Sequence, residues 1–94
     1  MEHRQSTDIK LHSDMWLRVS TKKSINKTLD TTASVFKRDG GFEVHRMHQD
    51  YWKCLERSAP ARITAKAVEV QHERVMRNQA EIIAAAEQHY LKEV

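Results

Sequence analysis

Residues 61–94 read ARITAKAVEVQHERVMRNQAEIIAAAEQHYLKEV, a stretch without glycine or proline that follows Pro60, the only proline of the chain. A single helix of that length would extend for about 50 Å. A compact globule of this chain length has a radius of gyration of only about 12 Å, so the remaining residues could not enclose such a helix. We therefore expect a long C-terminal helix over residues 61–94 that extends from the core.

Apolar residues in this stretch recur at helical spacing and form one face. The middle of that face is polar, at His72 and Gln79, whereas its end carries a wider apolar block. We expect the first half to pack on the core of this chain and the last three turns to bind a partner. The predicted anchors are Ile82, Ile83, Tyr90 and Leu91.

In the N-terminal part of the chain the spacing of apolar residues changes from a strand-like to a helix-like period. Between Asp8 and Ser20 the odd-numbered residues are mostly apolar, which is typical of a strand with one buried face. Trp16 would lie on the opposite face, where it either binds a partner or covers the edge of the core. From Thr21 the spacing changes to four, four and three residues, which predicts a helix. Its apolar face would consist of Ile25, Leu29, Ala33 and Phe36.

The middle of the chain contains a turn signal and a further periodic segment. Asp39 to Gly41 fits either a helix end with a left-handed glycine or an Asp-Gly hairpin turn. Apolar residues at helical spacing then predict a helix from about His45 to Arg57, which ends before Pro60. Tyr51 follows the apolar face, so the adjacent Trp52 lies either at a protein interface or at the rim of the core.

These patterns together predict a mainly α protein with a minor β element, in the α+β class. It would contain an N-terminal strand, an Asp-Gly hairpin as one alternative, and three helices of which the last is long. We expect residues 1–7 to form a flexible N-terminus and residues 8–94 a single small domain. A chain of 94 residues has room for one modest core.

Composition narrows the class of protein and its location. No run of about 18 apolar residues is present, so we expect no membrane-spanning helix. Residues 1–8 lack the apolar stretch of a secretory signal. Cys54 is the only cysteine, which excludes an internal disulfide and favours the reducing cytoplasm.

We expect neither a catalytic site nor a metal site. His45, His48 and Cys54 would supply three ligands, but their spacing is not a familiar zinc pattern. The protease pattern HExxH begins at His72, yet Met76 occupies the position of its second histidine. The two glycines are too few for a phosphate-binding glycine-rich loop. Enzyme activity, a cofactor and a small-molecule substrate are therefore not expected.

The net charge is +3, and its excess lies in the first 60 residues. No acidic residue occurs between Asp14 and Asp30, where several cations are separated by short hydroxyl side chains and an amide. Such a segment fits either a surface that contacts phosphates or an ordinary solvated face. The cationic residues of this patch are Arg18, Lys22, Lys23 and Lys27.

Two functions are expected from these features. The first is a small non-enzymatic, protein-binding regulator, adaptor or inhibitor that docks its C-terminal helix onto a protein partner or onto a second copy of itself, with Trp52 at the rim. A phage or mobile-element protein would fit this description as well as a host factor. The alternative is a nucleic-acid-binding regulator that uses the basic patch at residues 18–27.

Overall fold

A computed structural model describes residues 3–92 apart from 13, 40–41 and 44–49, and within that range it describes no side chains for 38–53 and 89–92. The described chain forms four long strands, one very short strand and two helices. In chain order these are β1 Arg4–His12, β2 Met15–Lys23, β3 Leu29–Asp39, β4 Phe42–Glu43, β5 Asp50–Ser58, α1 Ala65–Met76 and α2 Gln79–Lys92.

The prediction of a mainly helical protein is wrong, because the protein is built on an antiparallel sheet with two helices. The long strands lie in the order β1, β2, β3, β5. The short β4 pairs with the end of β3, so that Asp39 lies opposite Phe42. The chain therefore reverses at this point, which is the hairpin alternative and not a helix end.

The single strand expected from Asp8 to Ser20 is a hairpin of two strands. β1 and β2 pair antiparallel, with Ile9 opposite Leu17, and the register shifts between Lys10 and His12, next to the turn. The turn keeps odd-numbered residues on one face in both strands, so the alternation of apolar residues runs through it without a break. A period-two pattern alone could not show where the chain turns. The first strand begins at Arg4, within the segment that was expected to be flexible.

The helix expected from Thr21 is also wrong, since β2 continues to Lys23 and β3 begins at Leu29. Residues four apart share a face in a strand as they do in a helix, and the spacing of Leu29 and Ala33 fits both. Thr31 and Val35 complete a period of two on the buried face, and both are β-branched residues that favour strands. Ile25 lies in the turn between the two strands and not in a core.

The helix expected from His45 to Arg57 is replaced over its second half by β5, which pairs with β3. The rest of it, residues 45–49, lies outside the described residues. The pairing contains two irregularities, one between Thr31 and Thr32 and one between Ala33 and Ser34 of β3. An extra residue at a bulge shifts the alternation of side chains. For this reason the apolar residues in the sequence of β5 do not alternate with a period of two.

Two helices replace the single helix expected over residues 61–94. Thr64 begins α1 as its N-cap, and its Oγ1 accepts a hydrogen bond of 3.1 Å from the amide of Ala67. The helix ends at Met76 with Arg77 as its C-cap, and the amide of Asn78 donates to the carbonyl of Val75 at 3.0 Å. The carbonyl of Asn78 then accepts the first hydrogen bond of α2. A 34-residue helix extending from the globule is therefore not present.

Both helices contribute to one core on a single face of the sheet. Val75 of α1 and Ile82 and Ala86 of α2 lie in the same apolar cluster as residues of β2 and β3. Each large side chain buried there stabilises the fold by about 1.5–3 kcal/mol. The strand residues of the cluster are Met15, Leu17, Val19, Ala33 and Val35. We call the opposite face of the sheet the outer face.

Candidate functional site

The outer face ends, beside the β2–β3 turn, in a row of charged residues with one from each long strand. The strand register places Arg4 opposite Lys22, Lys22 opposite Asp30, and Asp30 opposite Arg57. The Arg57 guanidinium donates to both Asp30 oxygens, from Nε to Oδ1 at 3.0 Å and from Nη2 to Oδ2 at 3.2 Å. One carboxylate therefore lies among three cations.

The carboxylate of Asp30 accepts hydrogen bonds from two neighbouring side chains. Besides Arg57, the hydroxyl of Thr28 donates to its Oδ1 at 2.8 Å. The hydrogen bonds from Arg57 lower the pKa of Asp30 below its ordinary value, against the opposing effect of burial. The carboxylate is ionised at neutral pH, and it forms an ion pair with Arg57. Lys22 has no ion-pair partner in the part of the chain that the structure describes.

The turn between β2 and β3 is held in one shape by its own hydrogen bonds. The amide of Lys27 donates to the carbonyl of Ser24 at 3.1 Å, and the amide of Ser24 donates to the carbonyl of Thr28 at 2.8 Å. The side-chain oxygen of Ser24 accepts from the amides of Asn26 and Thr28 at 3.2 and 3.3 Å. Lys27 has a left-handed φ of 63°, which is uncommon for a residue other than glycine.

This turn carries an apolar side chain between cations. Ile25, at its apex, is 98% exposed. Lys22, Lys23 and Lys27 are exposed, as is Arg4 at the start of the adjacent strand. Among the described residues none of these four cations forms an ion pair. We call this surface the cationic tip; it consists of Arg4, Lys22, Lys23, Ile25 and Lys27.

Arg18 was predicted to belong to the same patch, but the structure places it elsewhere. It lies four residues before Lys22 on β2, about 13 Å away along the strand. Its guanidinium donates to both oxygens of Asp8 at 2.9 and 3.1 Å, and its Cζ lies 4.5 Å from the ring centroid of Phe36. Arg18 therefore stabilises the middle of the outer face and does not contribute to the cationic tip.

The outer face between these two groups is polar and made of small side chains. Ser6 and Ser20 lie opposite each other, and their hydroxyl oxygens are 2.9 Å apart. Thr32 follows on β3 opposite Ser20. Trp16 lies at the far end of the face, opposite Phe36, and is half-buried. The aromatic end and the cationic tip are thus at opposite ends of the sheet.

Among the residues predicted to bind a protein partner, the structure describes the side chains of Ile82 and Ile83, and neither is an exposed side chain. Ile82 is 8% exposed and belongs to the core, and Ile83 packs against that core. The side chains of Trp52, Tyr90 and Leu91 lie outside the described residues. Docking of a protein partner or a second copy through α2 stays a prediction, and it now depends on the end of the helix.

The most enclosed polar residues form a network that sequence reasoning did not find. His72 of α1 is 1% exposed; its Nε2 lies 2.7 Å from the hydroxyl of Thr7, and its Nδ1 lies 2.9 Å from that of Thr21. Thr21 in turn lies 2.7 Å from the hydroxyl of Thr31. Burial lowers the pKa of His72, while Glu73 opposes this, so the imidazole is neutral at pH 7.

Gln71 extends this network to the edge of the sheet. Its amide nitrogen donates to the carbonyl of Leu29 at 2.9 Å and to the hydroxyl of Thr31 at 3.1 Å, and its oxygen accepts from Ser58. His72, Gln71, Thr21 and Thr31 are buried, whereas Thr7 and Ser58 at the edges of the network are half-buried. The group joins α1 to four strands. Threonines at inward positions of the strands were the signal in the sequence.

A shallow cavity lies between β5 and the junction of the two helices. Its volume is about 340 Å³, and its walls include Leu55, Val75, Ile82 and Ala85. The ion pair between Arg74 and Glu56 closes one side. The described part of the chain contains no group of three or more potential metal ligands. His45 and His48 lie outside the described residues.

Comparison with protein-family models, curated proteins and solved structures gives no significant match for this chain. None of the described helices has both the length and the apolar character needed to cross a membrane.

Proposed function

We propose that this protein is a nucleic-acid-binding regulator that contacts the phosphates of a DNA duplex through the cationic tip. The observation that supports this is the convergence of four exposed cations on one rigid turn and the adjacent strand. The one carboxylate in the cross-strand row of Arg4 and Lys22 is Asp30, and it is bonded by Arg57. The positive charge at the tip is therefore not neutralised by the described residues.

The size of the tip suits weak, salt-dependent binding. Each phosphate contact made by a lysine or arginine releases condensed counterions, and the slope of log K against log salt is about −0.9 per contact on B-DNA. Four contacts correspond to a slope of about −3.6. Affinity of this electrostatic kind carries no sequence preference by itself.

A duplex fits this surface better than a single strand. Single-stranded nucleic acids are held by aromatic side chains that stack on successive bases beside a cationic groove. Among the described side chains, Trp16 and Phe36 lie at the opposite end of the outer face, and Phe36 is buried under Arg18. The tip itself offers cations, hydroxyls and one aliphatic side chain, which suit a phosphate backbone.

The test compares two triple variants with the same change in net charge. Replacing Lys22, Lys23 and Lys27 by Glu removes three cations of the tip. Replacing Lys10, Arg62 and Lys66 by Glu removes three cations that are exposed elsewhere. Binding of a fluorescent duplex is measured by anisotropy at about 50 and about 200 mM salt, and circular dichroism verifies that each variant is folded.

We expect the tip variant to lose at least about 100-fold in affinity at low salt and to reduce the magnitude of the salt slope by nearly three. The control variant should keep the slope of the unmodified protein and lose much less affinity. Equal losses in both variants would show that binding depends only on net charge. Absence of binding at low salt by the unmodified protein would exclude the proposed function.

A further inference from the structure

The side chain of Ile25 has no role in the fold. It is 98% exposed, whereas the next most exposed large aliphatic side chain among the described residues, Val70, is 45% exposed. A single exposed aliphatic residue is ordinary on a protein surface. This one differs because it projects from the apex of a turn that is fixed by hydrogen bonds and lies between cations.

Hydrogen bonds within the turn fix its conformation in the free protein. Five hydrogen bonds join Ser24 to the residues from Asn26 to Thr28, and they hold Lys27 in the left-handed region. A non-glycine residue with positive φ persists only where its surroundings impose it. Ile25 is therefore presented with little loss of conformational freedom on binding, and such pre-organisation favours affinity.

The shape of the tip selects one groove of a duplex. A two-stranded β-ribbon enters the major groove, which is about 12 Å wide, but not the minor groove, which is about 6 Å wide. β1 and β5 flank these two strands as far as Lys22 and Leu29, so only the turn from Lys23 to Thr28 projects beyond the sheet as a two-stranded unit. When this turn enters the groove, the lysines beside the apex approach the phosphates on both sides. The apex then faces the floor of the groove, where the base edges lie.

We infer that Ile25 contacts the 5-methyl groups of thymine in the major groove. This inference rests on the proposed function and adds a base contact to it. An aliphatic side chain cannot bond to phosphate or to the polar edges of guanine and cytosine, and the thymine methyl is the apolar group that the major groove offers. The ligand class is accordingly a duplex that contains thymine, and the contact gives the tip a sequence preference.

The experiment removes the methyl group from the DNA and the aliphatic group from the protein. Affinity is measured for a thymine-rich duplex and for the same duplex with deoxyuridine in place of thymine. The proteins are the unmodified chain, Ile25→Ser, and the control Val70→Ser, in which an exposed aliphatic residue of α1 is replaced. Each is measured at two salt concentrations, and thermal melting verifies that the fold is unchanged.

The unmodified protein and Val70→Ser should bind the thymine duplex about fourfold more tightly than the uracil duplex, which corresponds to the burial of about one methyl group. Ile25→Ser should bind both duplexes equally, at the level of the uracil duplex, with an unchanged salt slope. These results would support the inference.

Two other outcomes would overturn it. Equal affinity of the unmodified protein for both duplexes, with a strong loss in the Lys22, Lys23 and Lys27 variant, would leave the proposed function standing and exclude the contact to thymine. Binding to neither duplex at low salt, with Ile25-dependent retention on anionic lipid vesicles, would exclude both and assign the tip to a membrane surface.

Discussion

Substitution of Thr21 by Val tests whether the buried polar network holds α1 on the sheet. Thr21 is fully buried, and its Oγ1 lies 2.7 Å from that of Thr31 and 2.9 Å from Nδ1 of His72. Gln71 donates to Thr31, so Thr31 can donate to Thr21 and Thr21 to His72. The imidazole then carries its proton on Nε2 and donates to Thr7. Valine keeps the shape of threonine and removes both hydrogen bonds of Thr21.

The expected loss of stability follows from these two bonds. Each contributes about 0.5–1.5 kcal/mol net, and Nδ1 of His72 is left buried without a donor at a cost of about 1–3 kcal/mol. Because these values overlap, we expect a total of about 2 kcal/mol. For a domain of this size a loss of 1 kcal/mol lowers Tm by about 4–8 °C, so Thr21→Val should melt about 12 °C below the unmodified protein.

Urea and thermal unfolding followed by circular dichroism measure this loss. The control is Thr32→Val on the outer face, where the half-buried threonine has no side-chain hydrogen bond among the described residues. It should change stability by less than about 0.5 kcal/mol. If Thr21→Val is as stable as the unmodified protein, or if both variants lose the same free energy of unfolding, the hydrogen bonds of Thr21 do not stabilise the fold.

Two further predictions concern His72 and Lys27. Because the pKa of His72 is lowered from 6.5 in the folded chain, the unfolded chain takes up the proton first as the pH falls. The contribution of His72 is therefore fully present above about pH 6.5 and decreases below it, by at most about 1.4 kcal/mol per pH unit, and His72→Gln should lack this component in urea unfolding. Lys27→Gly should raise stability by about 0.5–1 kcal/mol, because glycine adopts φ of 63° without steric cost, whereas Lys22→Gly within β2 should lower it. A lower Tm for Lys27→Gly would contradict the left-handed geometry of the turn.

The sequence was sufficient to find the buried face of the first hairpin and insufficient to find its turn. Met15, Leu17 and Val19 are buried, as their alternation with polar residues indicated. The turn before Met15 preserves that alternation, so the pattern predicts a single strand where the structure has two. In β3 the four-residue spacing of Leu29 and Ala33 is shared by strands and helices, and the choice between them depends on pairing with distant segments.

The candidate site was predictable where its residues are close in sequence. Lys22, Lys23 and Lys27 lie together in the chain, and their patch was visible from the absence of acids. Arg4 joins them only through the pairing of β1 with β2, which no local pattern reveals. Arg18 is near these lysines in sequence, but it contacts Asp8 and Phe36, because it lies further from the turn along β2.

The polar network divides the interior into two parts that would tolerate sequence change differently. Around Leu17 and Val35 an aliphatic residue can be exchanged for another of equal volume at a cost of less than about 1.5 kcal/mol. Around His72 a change of one partner leaves another polar atom unsatisfied, and the effects of such neighbours are not additive. Over evolutionary time the apolar part could drift residue by residue. The positions of Thr21, Thr31, Gln71 and His72 would instead be kept or replaced together, and this linked variation would be a signature of the fold in any relatives of the chain.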